Sequence, residues 1–78
     1  MPITEFLNGY EFDLETRRLM GIAFEIARAT LNFENQTYAA HEIIAERIIE
    51  LAKNDVVDPD QLCEQALSHL RTRLPPRV

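Results

Sequence analysis

Between Leu14 and Phe33 apolar side chains recur so densely that a helix built from them leaves only a narrow polar strip. At about 100° per residue, Arg17, Arg18, Gly21, Glu25, Arg28 and Asn32 share that strip. Leu19, Met20, Ile22, Ala23, Phe24, Ile26, Ala27, Ala29, Leu31 and Phe33 cover an arc of about 220°, where a helix in a bundle commonly needs little more than half as much. Such a helix is the central element of a small bundle, a subunit contact, or both. If two further helices and an N-terminal arm cover part of the arc, the strip at Ile22, Ile26, Ala29 and Phe33 is left as the expected contact in a homodimer.

The pattern around this segment predicts an all-α three-helix bundle with a packed N-terminal arm. Residues 1–12 form the arm: Ile3, Phe6, Leu7, Tyr10 and Phe12 are apolar or aromatic, and Asn8-Gly9 marks a turn after one helical turn at Thr4 to Leu7. Residues 13–74 form the helical domain and 75–78 a tail. The first helix starts at Asp13, whose carboxylate suits the free amides of an opening turn, and runs to about Phe33. Either Asn35 or Thr37 caps the second helix, Tyr38 to Asn54. Its buried face is Ala40, Ile44, Ala45, Ile48, Leu51 and Ala52, and its wet face is Glu42, Glu46, Glu50 and Lys53. Ile43 falls among the polar positions, either as a scattered surface residue or as a piece of contact surface. The third helix opens on Val57-Asp58-Pro59-Asp60-Gln61-Leu62, with Asp58 as N-cap, Pro59 at the first helical position and Gln61 placed to close a capping box. Cys63, Ala66, Leu67, Leu70 and Leu74 continue its stripe until Pro75-Pro76 ends it.

Seventy-eight residues make one domain, near the size at which a single core gives only a few kcal/mol of net stability. The lone cysteine, Cys63, rules out an internal disulfide and a zinc site built on paired cysteines. No stretch approaches the ~20 apolar residues of a membrane span, and the opening Met-Pro-Ile-Thr-Glu has no basic n-region, so a reducing cytoplasm is the expected compartment and no membrane partner is expected. Eight basic against thirteen acidic residues, a net charge of −5, repel nucleic acid at long range. Arg71, Arg73 and Arg77 near the two terminal prolines read as a solvated tail.

Candidate chemistry is sparse. His41 lies on the apolar face of the second helix and reads as a packing histidine. His-Glu-Ile-Ile-Ala lacks the second histidine that a zinc helix requires. His69 lies at the edge of the third helix's stripe. Glu42, Glu46 and Glu50 form an acidic ridge at i,i+4 spacing, read as a solvated face because carboxylates on one helix seldom enclose a cation. Cys63 sits in an apolar stripe as a small hydrophobe. No catalytic, cofactor-binding or metal-ligating residue is assigned, and no cofactor is expected.

Phe12-Asp13-Leu14-Glu15-Thr16, Gly21 with Ala23-Phe24-Glu25, Ile48-Ile49-Glu50-Leu51-Ala52, and Asp58-Pro59 with Leu62-Cys63 and Ala66-Leu67 follow one another in an order that resembles a group of short, uncharacterised bacterial all-helical proteins. The resemblance covers about residues 12–70. It implies a bacterial source and a compact helical domain, and brings no catalytic residues.

The expected function is a non-enzymatic protein–protein interaction module that self-associates, its other protein partners unknown. The alternatives are a nucleic-acid-associated regulator, which needs a helix with several Lys or Arg on one face, and a small metal- or thiol-dependent enzyme using His41 or Cys63. Asp58 gives the first test of the helix assignments: Asp58→Ala should lower stability by about 1 kcal/mol, read as a lower urea midpoint.

Overall fold

The computed structural model describes residues 3–31 and 36–73. It contains a 3-10 turn, Ile3–Phe6, and three helices, α1 (Leu14–Thr30), α2 (Tyr38–Lys53) and α3 (Pro59–Arg73). Each helix packs against the other two and no strand occurs among the described residues, so the fold is an all-α three-helix bundle. No helix among the described residues is long and apolar enough to cross a membrane.

The helix starts follow from local chemistry. The Asp13 carboxylate accepts from the Thr16 amide at 2.7 Å, and the Thr37 hydroxyl accepts from the Ala40 amide at 3.1 Å, which makes Thr37 the cap of α2. Asp58 accepts from the Gln61 amide at 3.3 Å. Among the described residues Gln61 makes no return bond to Asp58, so the box is only half closed.

The end of α1 departs from expectation. The helix stops at Thr30, three residues before Phe33, and Leu31 is already extended with φ −70° and ψ 141°. The Thr30 hydroxyl donates to the Ala27 carbonyl at 2.8 Å. The Gln36 side-chain amide donates to the carbonyls of Arg28 and Leu31 at 2.8 and 3.1 Å. These side chains satisfy terminal carbonyls that another helical turn would have used, so the helix ends before its apolar periodicity does. Phe33, Asn35, Leu74 and the tail at 75–78 lie outside the described residues.

The core is centred on Phe24, Met20, Ile44, Ile48, Leu62 and Leu70, all fully buried. The predicted inner face of α2 is buried throughout, Ile43 is half-buried against the core, and Ile49, absent from the predicted face, is only 4% exposed. As a result α2 buries seven residues and α1 four. The helix with the broadest apolar arc is therefore not the most deeply buried one.

The arm packs as expected. Ile3 and Leu7 are buried, and the Phe6 ring lies 5.9 Å from Phe24 and 5.7 Å from Tyr38. Gly9, at φ +90°, supplies the left-handed turn that returns the chain. The Arg17 guanidinium fastens the far end, with Nε donating to the Phe12 carbonyl at 3.1 Å and Nη2 to the Tyr10 carbonyl at 3.4 Å. Gly21 faces this arm and not another helix; a Cβ there would stand 3.9 Å from Ile3 Cγ2, an ordinary contact.

α2 ends in a Schellman motif. The Val56 amide donates to the Leu51 carbonyl and the Asp55 amide to the Ala52 carbonyl, both at 3.0 Å, with Asp55 left-handed at φ +66°. Glycine is the usual residue at that position because a Cβ there is strained. Asp55→Gly should therefore raise the thermal and urea midpoints, by up to about 1 kcal/mol, while leaving the circular dichroism spectrum unchanged.

Candidate interaction surface

Helical periodicity turns Met20, Ala23, Phe24 and Ala27 of α1 into the core and turns the opposite side outward. On that side Ile22 is 38% exposed, Ile26 44% exposed, and Ala29 exposed as well. Three of the four expected contact residues thus stand together on the open face, while the fourth, Phe33, lies outside the described residues. Leu19 is half-buried beside them. Leu14, outside the expected contact strip, is 86% exposed. Its angular position in the middle of the polar strip, between Gly21 and Glu25, was the available signal. Tyr38 is also exposed but leans on Phe6, and Tyr10 stacks on Phe12 with Lys53 Nζ 5.5 Å from its ring centre.

Glu15 continues the strip of Ile22 and Ile26 toward the start of α1, and Arg18 and Glu25 border it. Glu15 and Arg18 pair at 2.6 Å, and Glu25 pairs with Arg28, each across three residues. The Arg18 pair holds the Glu15 carboxyl below its ordinary value, chiefly by hydrogen bonding. The first pair is open to water and holds its partners weakly, whereas Arg28 of the second is half-buried over the Phe24 ring.

The titratable residues are placed elsewhere. His41 is half-buried at the start of α2, its ring edge-on to Phe24 at 6.2 Å. Its Nε2 lies 3.0 Å from Gln36 Oε1. Because the Gln36 amide nitrogen faces two carbonyls, which only accept, its oxygen must face the ring, and His41 carries its proton on Nε2. That nitrogen has no lone pair to offer a metal.

Cys63 is buried, and burial pushes its thiol up, aided by Asp60 and Glu64. Glu42, Glu46 and Glu50 are exposed along α2, and Glu50 meets Arg47 at 3.0 Å. His69 lines a shallow cleft of about 270 Å³ with Arg47, Gln65, Ser68 and Thr72. Among the described residues no three His, Cys, Asp or Glu side chains converge in a way that could hold a metal ion. The structure therefore does not bring His41, His69 and Cys63 together. No protein-family model, curated protein or solved structure matches the chain.

The setting of His41 gives stability a pH dependence. Burial, reinforced by the positive Arg28, lowers its pKa in the folded protein below 6.5. The unfolded chain then binds the proton more readily, so this contribution is fully present above about pH 6.5 and is lost as pH falls toward the depressed folded value. The urea midpoint should fall between about pH 7.5 and pH 5.5, above the carboxylate range, and His41→Gln should flatten that fall. An unchanged slope in the variant assigns the dependence to another group.

Proposed function

We propose that this chain is a small non-enzymatic interaction module that acts by self-association through the exposed apolar face of α1. One observation carries the reading: Ile22, Ile26 and Ala29 form a continuous ridge at i, i+4 and i+7 on a helix whose inner face is already fully packed. Completing the burial of such half-covered aliphatic side chains is worth roughly 1 kcal/mol apiece, and a two-fold interface doubles every contribution. The packed surroundings of Cys63, whose burial keeps the thiol protonated, support a role in binding over one in catalysis. The net charge of −5 supports a protein partner over nucleic acid, and the single thiol suits a reducing cytoplasm in a bacterium.

Ile26→Glu should shift the protein from dimer to monomer in sedimentation equilibrium while the helical circular dichroism is kept, because the side chain is already nearly half in water. Wild-type protein that is monomeric by light scattering at tens of micromolar, a range in which dimers stabilised by roughly 7 kcal/mol or more are populated, would falsify the reading.

A further inference from the structure

The arrangement of charges and apolar side chains along α1 is self-complementary in one orientation only. Leu14, Arg18, Glu25 and Ala29 follow one edge of the open face, Leu19 and Ile26 follow the other, and Ile22 lies between them. Under a two-fold axis perpendicular to the helix, each edge meets the same edge of a second copy running the opposite way. In a parallel pair, each edge meets the other edge.

The geometry points to an antiparallel pairing of α1 with α1 of a second copy of this chain, with the two-fold axis close to Ile22. The inference rests on the self-association reading and specifies its partner surface. With the axis there, Arg18 faces Glu25 of the second copy, Leu14 and Glu15 flank its Ala29, and Leu19 faces Ile26, each contact occurring twice. Opposite charges meet on one edge and apolar side chains on the other. Leu14, 86% exposed within one chain, gains an apolar neighbour.

The parallel alternative places Arg18 and Glu25 against Leu19 and Ile26, leaving the charges without partners. It also brings Glu15, which lies between Ile22 and Ile26 around the helix, against Glu15 of the second copy. Antiparallel packing separates those two carboxylates by roughly 20 Å along the helix axis. The existing pair of Arg18 with Glu15 is a surface pair and is cheaply exchanged, and Glu25, half exposed beside Arg28, keeps a carboxylate oxygen to share.

Charge reversal tests the orientation. Arg18→Glu and Glu25→Arg should each weaken the dimer about tenfold in sedimentation, because two attractions become two repulsions, and the double variant should recover wild-type affinity. A second measurement uses Leu14→Cys with Ala29→Cys in a Cys63→Ser background. Positions 14 and 29 are about 22 Å apart on one helix and cannot be bridged within a chain, so oxidation of the double variant should give a covalent dimer that neither single variant gives. Dimers whose affinity ignores both single reversals, or a Leu14→Cys variant that cross-links alone, overturn the antiparallel arrangement and leave self-association standing. A monomeric wild-type protein overturns both.

Discussion

The burial of Phe24 is the constraint on which the rest of the structure depends. Its ring, with no exposed surface, is approached by Phe6 from the arm, by the edge of His41 from α2, and by the Arg28 guanidinium 5.9 Å from its centre. Arm, α1 and α2 therefore meet on one side chain. Once Phe24 points inward, the 3.6-residue period brings Met20, Ala23 and Ala27 in with it and directs Ile22, Ile26 and Ala29 outward. The exposed face is thus a direct consequence of the packed one. A chain this short has no further helix among its described residues to cover it.

What was legible in the sequence was what neighbouring residues decide among themselves. Asp13 and Asp58 were readable as caps because each acts on an amide three residues away. The inner faces of α2 and α3 were readable because a clear stripe of apolar positions alternated with charges. The sequence left open whether α1 would be the centre of the bundle or a contact surface. Burial shows which helix is covered more fully: α2 buries seven residues, Ile49 among them, and α1 four. The end of α1 was misplaced. Gln36 reaches back five and eight residues to take carbonyls of α1, a competition that a periodicity count does not contain. Of the surface strip, Ile22, Ile26 and Ala29 were foreseen and Leu14 was not, although its angle sets it among the polar positions and off the apolar arc.

Gln36 and His41 give the α1–α2 connection a definite construction. One amide side chain ties the last turn of α1 to the first turn of α2, donating in one direction and accepting in the other. Its orientation fixes the histidine tautomer, and the histidine in turn lies against Phe24. The polar contacts at this end of the bundle and the aromatic core are therefore coupled, and a change in the protonation of one ring is felt by the cap of a different helix.

The placement of Cys63 gives the molecule a built-in clock. Its sulfur lies in the inner stripe of α3 beside Leu62 and Ala66, 9% exposed and with its ionisation suppressed. A thiol reagent meets it slowly in the closed bundle and freely when α3 parts from the other helices. The rate of alkylation, compared with that of an unfolded peptide, then reports how often the bundle opens under native conditions, with no denaturant.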